Sequence, residues 1–331
     1  MGAAATSLPA FADVREAAAR LAGVAVHTPL LRNRFLDERA GCSVFLKPEM
    51  LQHGGSFKFR GAYNRLSRLE GRAREAGVVA FSSGNHAQGV AAAARLLDIH
   101  ARIVMPGDAP RIKLDNTRAL GAEVITYDRY RGSREAIAGD IADRDGALLV
   151  PSYDDFHVIA GQGSAGLELF EDVAAAGARL DALLICCGGG GLAAGIGLAA
   201  GALSPETALY CVEPQGYDDH ARSLASGHRE SADTSRPSIC DALLSPRPGE
   251  LTFELNRAQL AGALVVSEKE VREAMRYAFR VLKLVLEPGG AVALAALLAG
   301  HLPGRFRRVG VVLSGGNVDA ALFADVLAAP P

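Results

Sequence analysis

Ala182-Leu183-Leu184-Ile185-Cys186-Cys187-Gly188-Gly189-Gly190-Gly191-Leu192 is the stretch on which the fold turns. The apolar run Ala182–Cys187 suits a buried strand, and the Gly/Ala-rich run from Leu192 suits a helix. Between them stand four consecutive glycines. Each loses much backbone entropy on ordering, so the run is costly in any regular element. It permits close approach of several backbone N–H groups to one anion, at the positive end of the following helix. No Lys or Arg falls within the loop, so main-chain donors would hold a phosphate. Two other readings stay open. One is a tight turn where helix and strand pack closely. The other is a dinucleotide loop, which needs an acidic residue about twenty positions beyond it; Glu213, after Val212, is the one rough candidate.

The same strand-to-helix grammar runs upstream. Val78–Phe81 is a short apolar run, Asn85–Leu97 an alanine-rich helix, Ala101–Met105 a second strand closed by Pro106-Gly107, and Arg111–Leu120 a second helix. Glu123–Tyr127, Ser133–Arg144 and Ala147–Val150 continue the alternation. Downstream, Leu209–Val212 and Val309–Leu313 read as further strands. Such alternation means mostly parallel sheets flanked by helices, an α/β fold. The block 78–151 is expected to be a small lobe, and 1–77 together with 152–331 a large one. Segment 227–250, rich in Ser, Pro, Asp and Gly, reads as surface loop. Ser267–Leu286 is amphipathic, with Ser267 and Glu270 spaced as a capping box.

The chain has 331 residues, of which 49% are apolar, and a net charge of −2. A packed protein of about two domains is expected, with no electrostatic case for nucleic acid or membrane surfaces. Leu192–Leu203 is too short to span a bilayer. Met1–Pro9 has no basic start before an apolar run, so a cytoplasmic location is expected. No CxxC pair occurs among Cys42, Cys186, Cys187, Cys211 and Cys240, which favours free, mostly buried thiols.

Lysine is scarce: Lys47, Lys58, Lys113, Lys269 and Lys283. An amine forms a Schiff base only when unprotonated, and apolar burial favours that state. Lys58, in Ser56-Phe57-Lys58-Phe59-Arg60-Gly61-Ala62, sits between two phenylalanines, whereas the other four are expected at the surface. Ser82-Ser83-Gly84-Asn85-His86-Ala87-Gln88-Gly89 brings hydroxyls, an amide and N–H groups to a strand-to-helix turn, which suits a carboxylate. Helix capping by Ser83 or Asn85 is the alternative. Ser314-Gly315-Gly316-Asn317 follows the terminal strand in the same way.

Taken together, Ser56–Ala62, Ser82–Gly89, Ile159–Gly163, Cys187–Leu192, Val212–Pro214 and Leu313–Asp319 resemble the fold type II pyridoxal-5′-phosphate enzymes, the group of threonine and serine dehydratases and serine racemase. The resemblance covers nearly the whole chain, in the family's order and spacing. It implies Lys58 as the cofactor-bearing lysine, Phe57 against the pyridine ring, Asn85 near the 3′-oxygen, Gly188, Gly189, Gly190 and Gly191 on the phosphate, and Ser314 at the ring nitrogen. A serine there can bond that nitrogen without forcing its protonation, which suits elimination over transamination.

The resemblance also implies a substrate pocket of Ser82, Ser83, Asn85, His86 and Arg134. Ser83 matches a serine that acts as acid/base opposite the lysine in serine racemase. Arg134 matches an arginine that approaches the substrate in racemase-like and hydroxyaspartate-handling relatives; a surface position is its alternative. Glu213, the Tyr217 carbonyl and Asp219 match a divalent-cation site, whose hard oxygen ligands suit Mg²⁺, Mn²⁺ or Ca²⁺. Dehydration of threonine or serine to a 2-oxo acid and ammonia is expected first, narrowly ahead of hydroxyaspartate, with racemisation next and nucleotide binding a remote alternative. A homodimer or homotetramer is expected, and the end of the chain at Pro331 leads us to expect no C-terminal effector domain.

Overall fold

A computed structural model describes residues 7–328 except 110, 129 and 236, and the side chain of 112. The expectations resting on residues 1–6 and on the C-terminal end lie outside the described residues. Two parallel sheets organise the chain. Among the described residues the strands are β1 (Ser43–Pro48), β2 (Val78–Phe81), β3 (Ala101–Pro106), β4 (Glu123–Tyr127), β5 (Leu148–Leu149), β6 (Ala182–Cys186), β7 (Ala208–Pro214), β8 (Gly262–Val266) and β9 (Arg308–Leu313). One sheet has the order β1-β9-β6-β7-β8, the other β4-β3-β2-β5. Every strand-to-strand pairing within them is parallel. The N-terminal strand β1 therefore joins a sheet otherwise drawn from the C-terminal half.

The central strands β6, β7 and β9 are buried on both faces, as the continuous apolar runs require. Helix Phe156–Ala175 packs its glycines against neighbours at distances that exclude or crowd a side chain. A Cβ on Gly163 would meet the Gly195 carbonyl at 2.7 Å, and one on Gly166 the Ile196 backbone at 3.0 Å. Helix Lys58–Leu66 likewise lies close on helix Asn85–Leu97, where Gly89 faces the Lys58 backbone. Phe59, Ala62 and Leu66 share one core with Val78, Ala80, Val90 and Ile103. The core beneath the four-stranded sheet thus draws on residues before position 78.

Three local expectations need correction. Segment 227–250 is not all surface: Cys240 is fully buried, and a 3₁₀ turn, Asp241–Leu243, packs against Gly188 and Gly289. Those two glycines lack the Cβ that would exclude it. The capping box at Ser267 forms, but its helix ends at Tyr277 and passes through a π turn, Ala278–Leu282, to left-handed Lys283. Lys47 is not at the surface. It is fully buried, donating to the Thr28 carbonyl at 2.8 Å and to Glu168 at 2.7 Å.

Glu168 also serves Arg60, which is fully buried and forks between two carboxylates. Its Nε and Nη2 reach Glu49 at 2.7 and 2.8 Å, while Nη1 and Nη2 each reach Glu168 at 2.7 Å. Planar bidentate geometry makes a buried guanidinium tolerable. It anchors the helix that Lys58 begins.

Candidate active site

The segments singled out in the sequence converge on one cavity of about 330 Å³. Phe57, Lys58, Ser82, Ser83, Asn85, His86, Arg134, Gly188–Gly191 and Ser314 all line it. Parallel strands make this so: β2, β6 and β9 end on the same side of their sheets, and each hands its C-terminal turn to the cleft.

Lys58 is the first residue of its helix, and its Nζ donates to the Ser152 carbonyl at 2.7 Å. Burial pushes its amine down to about 8, with Glu287 working against the shift. Backbone bonds tie its turn to that of Ser314: Phe57 N donates to the Ser314 carbonyl at 3.2 Å, and Gly316 N to the Gly55 carbonyl at 3.0 Å. Ser314 is itself buried.

The glycine loop presents only backbone to the cavity. A Cβ on Gly189 would stand 2.3 Å from the Tyr153 ring, and one on Gly190 would stand 2.5 Å from His220 Nε2. Gly190 also adopts φ +94°, a left-handed conformation costly for other residues. The loop's carbonyls are engaged by residues outside the cavity lining: Thr252 Oγ1 donates to Gly189 at 2.7 Å, and Asn256 Nδ2 to Gly190 at 3.2 Å. Helix Gly191–Leu203 begins at the loop's last glycine.

Neither Ser83 nor Asn85 caps the helix Asn85–Leu97, because Gly84 is the N-cap and no side chain bonds there. Asn85 is held elsewhere. Its Nδ2 donates to Glu287 Oε1 at 2.5 Å, and its Oδ1 accepts from Asn317 Nδ2 at 2.8 Å. The amide orientation is thereby fixed, leaving one Nδ2 hydrogen beyond these bonds. Burial raises the Glu287 carboxyl to about 8, Asp241 adding to the effect and Asn85 opposing it. His86 donates from Nε2 to the Val150 carbonyl at 2.9 Å; burial, then Lys58, push its imidazole down to about 3. It is neutral at physiological pH.

Arg134 lines the cavity rather than facing only solvent. Its guanidinium lies 5.5 Å from the centre of the Phe81 ring, and its Nε donates to Glu135 at 2.8 Å. Lys113 also lines the cavity, with its side chain 16% exposed and its ammonium on Asp241. The surface position expected for Lys113 is wrong, because Asp241 comes from a segment that the sequence did not place there.

Glu213, Tyr217 and Asp219 are all buried, but they stand behind the glycine loop, outside the cavity lining. Glu213 accepts the N–H groups of His220 and Ala221 at 2.9 and 2.8 Å. Asp219 Oδ2 is buried without a hydrogen-bond partner. Burial and the neighbouring Glu213 push the Asp219 carboxyl up to about 7. His220 connects this group to the loop, with Nδ1 3.6 Å from Glu213 and Nε2 3.3 Å from Asn256.

A half-buried amine of lowered basicity, an anion cradle made of backbone and a neutral hydroxyl now line one cavity. The sequence profile of the family described as pyridoxal-phosphate dependent enzyme matches residues 22–315. The chain belongs to that family. An L-threo-3-hydroxyaspartate ammonia-lyase from Pseudomonas sp is 47% identical over 97% of this chain and 99% of its own. A serine racemase from Schizosaccharomyces pombe is 41% identical over 97% and 98%. The solved structure of a T.th. threonine deaminase superimposes with a TM-score of 0.88 at 42% identity, covering 94% of this chain and 99% of that one.

The residues present fit pyridoxal phosphate, which supplies an electron sink for the bonds at Cα when bound. Lys58 would carry it, and Gly188–Gly191 with the start of the following helix would hold its phosphate. Sequence reasoning missed Tyr153, Glu287, Lys113 and the Asp241–Ser245 segment as members of the cavity lining. Of these, only Glu287 carried a local sign, in Glu287-Pro288-Gly289-Gly290, whose proline opens helix Pro288–Leu298. Among the described residues no helix is long and apolar enough to cross a membrane.

Proposed function

We propose that this pyridoxal-phosphate enzyme is an ammonia-lyase for β-hydroxy amino acids bearing a second carboxylate, with 3-hydroxyaspartate as the type substrate. The position of Arg134 carries the reading: a guanidinium at the cavity wall, over the Phe81 ring and bound through Nε to Glu135, keeps its two Nη groups as a bidentate partner for a side-chain carboxylate. This reverses the order expected from sequence, which put threonine and serine first. The 47% identity to a hydroxyaspartate ammonia-lyase supports the same order.

In this reading the turn Ser82–Asn85 and its helix N-terminus take the α-carboxylate, and Arg134 takes the β-carboxylate. Lys58, of lowered basicity, accepts the Cα proton. Loss of the β-hydroxyl as water leaves an enamine that tautomerises to the imine, and a water then hydrolyses that imine to ammonia and a 2-oxo acid. The test is a substrate panel assayed for 2-oxo acid with wild type and Arg134→Gln. Turnover of 3-hydroxyaspartate should fall by about 100-fold or more, as expected for a lost charge-assisted pair, and threonine should fall far less. Equal losses would sink the assignment.

Ser83 favours a second reading, racemisation. Its hydroxyl lines the cavity and caps no helix, so it is available as a proton donor. Ser83→Ala should abolish any racemisation and spare elimination from an L-substrate. We propose further that Glu213, the Tyr217 carbonyl and Asp219 hold a divalent cation. The support is Asp219 Oδ2, a buried carboxylate oxygen without a hydrogen-bond partner, with His220 Nδ1 3.9 Å away and a second carboxylate, Glu213, nearby.

A further inference from the structure

Lys113 and Asp241 are paired across the cavity from different halves of the fold. Lys113 stands on helix Arg111–Ala119, between β3 and β4, while Asp241 opens the 3₁₀ turn that follows β7 and helix Asp219–Ser226 in sequence. Their separation in the chain is 128 residues. Both line the cavity that contains Lys58 and Arg134. The two ends of the pair are unlike. The Asp241 turn is wedged in place, with Leu243 against Gly188 and both Ala242 and Leu243 against Gly289. Lys113 is a point charge on a flexible four-carbon stem, free to re-aim its ammonium within reach.

We propose that Lys113 is a specificity-determining residue whose ammonium exchanges Asp241 for the second carboxylate of the substrate, which it then shares with Arg134. Asp241 demonstrates the chemistry, because the group Lys113 already holds at the cavity is a carboxylate. The exchange replaces one ion pair by another. The released Asp241 side chain is 49% exposed and is rehydrated at small cost. A substrate with a methyl or hydrogen in that position offers no anion, and Lys113 stays on Asp241. Asp241 thus acts as an internal competitor that only a dicarboxylate displaces.

The inference rests on the dicarboxylate reading of the site, so its test avoids turnover of any hydroxy amino acid dicarboxylate. Succinate and butyrate, which differ by one carboxylate, are compared as competitive inhibitors of the holoenzyme with whichever amino acid it consumes. Lys113→Met should raise the ratio of succinate to butyrate inhibition constants about tenfold, and Lys113→Arg should restore part of it. Asp241→Asn should move the ratio the other way, about threefold or more, by removing the competitor. Opposite signs for the two variants are the signature of exchange. A pair serving only as a strut between the two halves would shift both inhibitors together and give both variants the same sign, which would overturn the proposal. A drop in cofactor content or melting temperature shared by both variants, with the ratio unmoved, would overturn it equally. Failure of wild type to consume 3-hydroxyaspartate would count against the proposed substrate alone, provided succinate still shows the opposed signs.

Discussion

Replacing Lys58 by Met should make the cofactor-free protein more stable at neutral pH, although it destroys catalysis. The amine falls from its ordinary 10.5 to about 8 on folding because burial disfavours the ammonium. The unfolded chain therefore binds the proton more tightly than the folded one. At about 1.4 kcal/mol per pH unit, this burden on the native state is roughly 3 kcal/mol below pH 8, shrinks between pH 8 and 10.5, and vanishes above. Methionine fills similar volume without a charge. Against the gain stands the lost bond from Nζ to the Ser152 carbonyl at 2.7 Å, worth about 1 kcal/mol. The net is a stabilisation of roughly 2 kcal/mol at pH 7. Urea unfolding of cofactor-stripped wild type and Lys58→Met, at pH 7 and again near pH 10, measures it. A variant less stable at pH 7, or a difference that does not shrink towards pH 10, refutes the account. With cofactor present the order should reverse, since only wild type gains stability from a covalently held ligand.

Borohydride reduction of the holoenzyme should fix the pyridoxyl group on the peptide containing Lys58; label on Lys113, which also lines the cavity, would refute the assignment. Arg60→Met should destabilise by about 3–5 kcal/mol in urea, since it strands Glu49 as a buried charge and leaves Glu168 with Lys47 alone. Replacing Arg60 and Glu49 together by apolar residues should recover much of that loss, because Glu168 keeps its bond to Lys47. Chelator should lower the melting temperature if a cation sits at Glu213 and Asp219, Mg²⁺ or Mn²⁺ should restore it, and Asp219→Asn should make the protein indifferent to both. A wild type that ignores chelator, with no metal by elemental analysis, would remove the cation.

The parallel sheets were legible because their signal is local. A buried strand such as Ala182–Cys186 announces itself by an unbroken apolar run, and a strand-to-helix turn by its glycines or serines, all within about ten residues. The lining of the cavity was legible for the same reason: Gly188–Gly191 and Ser82–Asn85 are each contiguous, and the glycine loop offers its backbone alone. Lys58 was legible from two flanking phenylalanines. The capping box at Ser267 was legible, but the break at Lys283 was not, since a π turn leaves no comparable spacing.

What stayed hidden has a common physical form, a polar side chain whose environment is set by a partner far along the chain. Asn85 is oriented by Glu287, 202 residues away, and Lys47 is neutralised by Glu168, 121 residues away. Neither separation produces a period, a cap or a turn. Burial then changes the chemistry of such residues after the fold has formed: Glu287 keeps its proton to about pH 8, and His86 sheds its own down to about pH 3. A lysine in a helical pattern with charged neighbours is ordinarily a solvated one, and Lys113 differs only because the Asp241 turn is lodged against two glycines that make room for it. The backbone proposed to grip the cofactor was therefore readable from local sequence. The charges proposed to select a substrate are assembled across the fold, and they emerge only when the two sheets are brought together.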